Sequence, residues 1–361
     1  MMLRSLLACF IGVSICADEK VTPPDISLFL TPQEKNFGYV SADFIYWVAD
    51  QQGNNFASTG AAITVPGTTD PNTGLVPGVI TGGGNLYSPE FKIKPGFKVA
   101  VGGTLMHNEW NIFAEYTYLY SNAKNSVSSD NLNTGILPLF SYAPNNSILA
   151  STTYATTSGA TGFVSSASAS WLLHFNNINF ELEKNFLIYK DLVLHPHFGL
   201  QGSWQIEHFN ALYVVNSTTS LSTVNGSNSL KFEQKFWGVG PRIGLDGTWQ
   251  CCNHFGLFAN TGLSALWSRF NDHATSYDTN ATAGYTNVEI SNQYNRFNTL
   301  IPVTQLLIGA QTDWTFNDRY RFLLQAGWET QMWFFMNQHS STIADISLNL
   351  QGFTLRAALD F

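Results

Sequence analysis

The final nine residues read Phe353-Thr354-Leu355-Arg356-Ala357-Ala358-Leu359-Asp360-Phe361. Every odd position is apolar, and Thr354, Arg356 and Asp360 fall between them. Period-two alternation puts one set of side chains on each face of a β-strand, so this strand separates an apolar environment from a polar one.

Working backward, nine more segments carry the same pattern, with expected bounds 38–49, 91–105, 110–120, 171–186, 192–207, 234–249, 255–269, 300–314 and 320–334; the last strand spans about 347–361. In the first, Val40, Ala42, Phe44, Tyr46 and Val48 alternate with Ser41 and Asp43. In 234–249, Trp237, Val239, Ile243, Leu245 and Trp249 oppose Arg242, Asp246 and Thr248. A tilted membrane-crossing strand needs about 9–11 residues, whereas strands of globular proteins peak near 5–6. The length of these segments therefore favours a membrane barrel over a soluble sandwich.

Junction lengths point the same way. Residues 106–109, 187–191, 250–254 and 315–319 are short turns, and the intervening junctions are longer. Bacterial barrels pair short periplasmic turns with longer external loops and have an even strand number. The expectation is a closed antiparallel all-β transmembrane barrel of about ten strands, or twelve if a strand pair lies within 150–168. Trp110, Trp249 and Trp314 fall at short-turn ends, and Trp171, Trp204, Trp237 and Trp267 at long-loop ends. Two interfacial tryptophan girdles are expected.

Composition agrees. Charged residues are 12% and aromatic residues 14% of the 361, against about 25% charged in soluble domains, while mean hydropathy is near zero. A wall between lipid and a polar interior accounts for both. Residues 1–17 read as a signal peptide, with Arg4, an apolar run from Leu3 to Val13, and small residues before Asp18. Residues 18–36 form an expected periplasmic N-terminal segment, and 37–361 the barrel. Leu6-Leu7-Ala8-Cys9 leaves too short an apolar run for a lipoprotein signal. The net charge of −8 argues against nucleic acid as a partner.

The opening Val40-Ser41-Ala42-Asp43-Phe44-Ile45-Tyr46-Trp47, the segments 176–198 and 236–242, and Gln325-Ala326-Gly327-Trp328-Glu329 resemble the Legionella-type major outer membrane protein family, which also has members in environmental chlamydiae. So do Asp318-Arg319-Tyr320 and Gln351-Gly352-Phe353-Thr354-Leu355-Arg356. The resemblance covers most strands and skips the long junctions. It implies a major outer-membrane protein with porin-like activity and no catalytic site. The low cysteine content departs from cysteine-rich chlamydial porins.

The charges on the non-apolar face are the main functional candidates. The expected lumen-lining set is Asp43, Lys92, Lys94, Lys98, Glu115, Glu181, Glu183, His195, His197, Glu207, Arg242, Asp246, Asp313, Arg321, Glu329, Arg356 and Asp360. In a narrow barrel they form a salt-bridged plug, and in a wider one they line water and set ion selectivity. The first reading is passive diffusion of ions and small hydrophilic solutes. The alternative is a closed structural or adhesive barrel displaying its external loops.

No cofactor, metal or catalytic group is expected. His195 and His197 share a face but have no third ligand at motif spacing. Ser203, His197 and Asp246 make a triad-like set without a nucleophile motif. Gly238, Gly240 and Gly244 lack the helix that a phosphate loop requires and are expected to make room for lumen side chains. Cys251 and Cys252 lie in a short turn, either unpaired or in an intermolecular disulfide. Phe353, Leu355, Leu359 and Phe361 resemble the terminal signal read by the barrel-insertion machinery. Outer-membrane lipid is the other expected partner, and a homo-oligomer is left open.

Overall fold

The computed structural model describes residues 38–64, 79–81, 84–105, 110–128, 135–140, 164–189, 191–218, 223–252, 254–281, 283–317, 320–337 and 347–361. The expected signal peptide and N-terminal segment lie outside them. Ten long strands dominate: β1 Tyr39–Gln51, β2 Lys94–Leu105, β3 Trp110–Ser128, β4 Ser166–Lys184, β5 Leu192–Thr218, β6 Thr223–Cys252, β7 Phe255–Asn280, β8 Tyr285–Phe316, β9 Tyr320–Trp333 and β10 Leu348–Asp360.

Each strand pairs antiparallel with its sequence neighbours, and β1 pairs with β10 to close the ring. The seam runs in unbroken register from Tyr39↔Asp360 to Gln51↔Leu348. Gly38 and Phe361 exchange both backbone hydrogen bonds, at 3.0 and 2.9 Å, so the last residue is tied into the wall. The twelve-strand alternative fails at β3 and β4, which pair directly from Trp110↔Lys184 to Ser128↔Ser166 and leave no gap for another pair.

The two faces of the wall differ as the alternation requires. Phe44, Tyr46, Val99, Val101, Phe180, Leu200, Val239, Ile243, Leu263 and Ile308 are exposed on the outside. Trp249 and Trp314 are exposed at the short-turn end, and Trp204, Trp237 and Trp267 at the other. Trp237 and Trp249 are twelve residues apart on β6. At ~3.3 Å per residue and ~40° tilt, that spacing is about 30 Å of height, the thickness of the hydrocarbon layer. One expected girdle member is corrected. Trp171 is fully buried because it shares the inward parity of Asn177, Asn179 and Glu181, and its indole N–H donates to Glu207 at 2.6 Å.

The strands are longer than the alternation of apolar outward residues shows. Residues 208–218, 223–233, 270–280 and 285–299, expected as loops, continue β5 to β8, whose lengths are 27, 30, 26 and 32 residues. Above the upper girdle the outside of the wall meets water, and on β4 and β5 the inward side chains turn apolar, while β6 and β7 keep inward polar groups such as Asn228, Asp272 and Asp278. On β4 the inward series runs Ala167, Ala169, Trp171, Leu173 and Phe175 before changing to Asn177, Asn179 and Glu181, all buried. On β5 the inward Gln201, Ser203, Gln205 and Glu207 give way to Phe209, Ala211, Tyr213 and Val215.

The inside of the outer half therefore holds an apolar core. It joins these residues to Ile45, Trp47, Phe236, Phe270, Val303, Trp333 and Leu350. Phe56 and Ala57 enter this core from the β1–β2 junction, and Tyr213 donates its hydroxyl hydrogen to the Phe56 carbonyl at 2.8 Å. Short segments Ala57–Thr64, Val79–Thr81, Leu86–Tyr87 and Gly135–Pro138 pair with one another as a small sheet beside it.

Candidate functional site: an ion-pair network across the lumen

Below the apolar core, the inward face turns polar and its charges meet. Lys98 on β2 is fully buried against Glu329 on β9, with Nζ 2.6 and 2.8 Å from the two carboxylate oxygens. Two strands, β10 and β1, stand between them in the ring, so the pair reaches across the interior rather than along the wall. Glu329 also accepts from Gln305 at 2.7 Å, Gln331 at 3.0 Å and Thr354 at 3.0 Å. Trp47 shields this cluster from above: its ring centroid is 5.0 Å from Lys98 Nζ, and its indole N–H donates to Thr354.

Arg356 on β10 forms the second node. Its Nε lies 2.9 Å from both oxygens of Asp43 on β1, and its Nη2 lies 2.6 Å from Glu115 on β3. Glu115 in turn approaches Lys98 at 3.9 Å. The third node is Arg242 on β6, which donates to Glu181 on β4 and, at 2.8 Å, to Gln305 on β8. Gln305 thus joins the Arg242 and Glu329 clusters. His197 on β5 lies between Glu181, at 2.8 Å, and Asp246 on β6, at 3.4 Å.

The chain Asp43–Arg356–Glu115–Lys98–Glu329–Gln305–Arg242–Glu181–His197–Asp246 draws on nine of the ten strands; β7 contributes space instead. A Cβ at Gly262 would collide with the Arg242 guanidinium, and one at Gly244 with the His197 ring. Those glycines leave the volume that the two side chains occupy. Buried charges are tolerated where every ion has partners. Each charged residue of this network has an oppositely charged partner within 4 Å, which meets that condition.

The other expected lumen residues fall elsewhere. His195 contacts Glu183 at 3.0 Å, and Arg321 contacts Asp313 at 2.9 Å and Asp360 at 3.8 Å; both groups are partly exposed, towards the short-turn end. Glu207 is buried higher up with Trp171. Lys94 opens β2 opposite Trp47, above the network. Lys92 is corrected: it precedes the strand, is exposed, and pairs with Glu90 at 3.4 Å.

The triad-like set does not assemble, since Ser203 Oγ donates to the Asn176 carbonyl at 2.7 Å. Cys251 has an exposed free thiol. Gln305, Gln331, Thr354 and Gly262 were not among the expected site residues. Their inward parity was readable, but parity does not report reach across a lumen.

Phe353, Leu359 and Phe361 are exposed on the lipid side, while Leu355 shares their parity. The Phe361 ring lies where a Cβ on Gly38 would stand, so glycine at 38 lets the terminal aromatic pack over the seam. Replacing Phe361 with aspartate is expected to reduce outer-membrane yield severalfold, read by immunoblot of membrane fractions. Unchanged yield would dismiss an assembly role for this terminus.

The profile of the family described as Legionella pneumophila major outer membrane protein precursor matches residues 30–361. No curated protein matches the chain. Among solved structures, the outer membrane protease OmpT of Escherichia coli is 13% identical, with a TM-score of 0.36 over 92% of this chain and 97% of that one. A Pseudomonas aeruginosa FadL homologue is 9% identical, with a TM-score of 0.29 over 93% of each chain. The toluene transporter TodX of P. putida is also 9% identical, with a TM-score of 0.28 over 94% and 92%.

Proposed function

The chain belongs to the Legionella pneumophila major outer membrane protein family, and from that premise and its filled interior we propose that it is a closed structural barrel of the outer membrane that carries a tall extracellular wall. The observation behind this reading is the Lys98–Glu329 pair, fully buried and spanning the lumen between non-adjacent strands. A diffusion pore needs continuous water past its lining charges. Here those charges are partners of one another, and a cluster of buried apolar residues lies above them. The β5 to β8 wall continues well past the upper girdle, which suits a surface-exposed role. The reading involves no catalytic step and no cofactor.

The second reading is porin-like passage of ions and small hydrophilic solutes. It draws support from the chemistry of the seal: ionised groups exchange partners with water more readily than packed hydrocarbon does. Planar-bilayer recording separates the two. The closed barrel is expected to give no steady unitary conductance, either as wild type or as the conservative variant Thr354→Ser. Reproducible unitary steps from the wild-type protein would overturn it in favour of the channel.

A further inference from the structure

The outward face of β6, β7 and β8 changes character abruptly at the upper girdle. Lipid-facing Val239, Trp267 and Leu300 are followed on the next row by Trp237, Arg269 and Asn298, and on the row after by Lys235, Asn271 and Arg296. Arg269 lies over the Trp237 ring, 5.9 Å from its centroid, and donates to the Asn298 side chain at 3.0 Å. Arg296 donates to the Asn271 side chain at 2.7 Å. Among the described residues neither arginine meets a carboxylate; Lys235 is paired with Glu233 at 2.7 Å.

Lys235 and Arg296 line a shallow pocket of about 480 Å³ together with Glu233, Asn271, Asp272 and Tyr294, and Arg269 stands one row below it. Tyr294 stacks on His273 with centroids 4.1 Å apart and planes within 6°. The arrangement is an apolar and indole surface at the membrane boundary with cations held immediately above it. Guanidinium groups left without carboxylates, their planes set by amide hydrogen bonds, suit phosphate oxygens, and the apolar rows below suit acyl chains.

We propose that this shelf binds the phosphorylated headgroup of an acylated glycolipid in the outer leaflet. Its phosphates meet Arg269, Arg296 and Lys235, and its acyl chains lie on Trp267, Val239 and Leu300. Continuity with the lipid-facing band selects a lipid over a soluble anion, because the cations stand where headgroups sit. The inference does not depend on whether the lumen conducts.

The test is native mass spectrometry of the detergent-solubilised full chain with three probes: bis-phosphorylated lipid A, the same lipid dephosphorylated, and inorganic phosphate. The wild type is expected to retain the phosphorylated lipid at least tenfold better than the dephosphorylated one. The variant Lys235→Gln/Arg269→Gln/Arg296→Gln is expected to lose that preference, as is Arg296→Gln in part, with both still showing heat-modifiable migration of a folded barrel. Should the triple variant misfold, Arg296→Gln alone decides. Equal retention of the two lipids by wild type, or undiminished retention by the folded variants, would overturn the proposal. So would displacement of the lipid by millimolar inorganic phosphate, which would assign the shelf to a free anion.

Discussion

Replacing Glu329 with leucine destabilises the folded barrel by about 3–5 kcal/mol, the cost of leaving a buried charge without its partner. Lys98 is fully enclosed by the lumen and the Trp47 ring, and its nearest remaining carboxylate, on Glu115, is 3.9 Å away. Gln305, Gln331 and Thr354 lose an acceptor at the same time. Adding Lys98→Met removes the orphaned charge, so the double variant should recover a substantial part of the loss. Urea titration in detergent, followed by tryptophan fluorescence, measures both. If Glu329→Leu alone unfolds at the wild-type midpoint, the pair does not hold the lumen together.

Arginine in place of Ile243 costs about 2–4 kcal/mol in a bilayer, the range for a cation on the lipid face at midplane. Ile243 stands six residues from Trp237 and six from Trp249 on the same strand, between Phe198 and Leu263 on its neighbours. It is more than half exposed, and every neighbour offered to the new charge is apolar. Moving the arginine outward along β6 should reduce the penalty steeply, reaching little at position 235, where lysine already stands. Unfolding in lipid vesicles gives the comparison; a penalty that does not vary with position would mean that this face is not in the membrane.

The membrane-crossing part of the fold was legible because lipid and a polar lumen impose opposite demands on adjacent residues. Phe353 to Phe361 and Trp237 to Trp249 carry that signal without interruption. The outer wall was not legible as strand for a related reason. At Phe175–Asn177 on β4 and at Glu207–Phe209 on β5 the apolar side changes from outward to inward. Read with a fixed phase, the pattern dissolves into what resembles a polar loop; read with the inversion allowed, the same residues are strand. Trp171 was misplaced by the same assumption, since an aromatic near a strand end suits a girdle or a core equally well.

The candidate site was legible as a set and not as a network. Inward parity identified Asp43, Lys98, Glu115, Arg242, Glu329 and Arg356, but the closeness of Lys98 to Glu329 depends on ring diameter. Gly244 was expected to leave room for a lumen side chain and does so for His197, whereas Gly262, which does the same for Arg242, was not singled out. Lys92 was misassigned because the alternation continues past the residue at which pairing begins.

The seam between β1 and β10 bears on how the molecule comes into being. Asp43 and Arg356 are 313 positions apart in the chain, and their contact exists only once the first and last strands meet. Ordering so distant a contact is slow. A nascent barrel lacking its final strand therefore holds both an open sheet edge and an unmatched carboxylate facing inward. Sealing the wall and neutralising its interior are one event, completed by the thirteen residues of β10. A barrel without β10 forfeits the seam and the Asp43–Arg356 contact together.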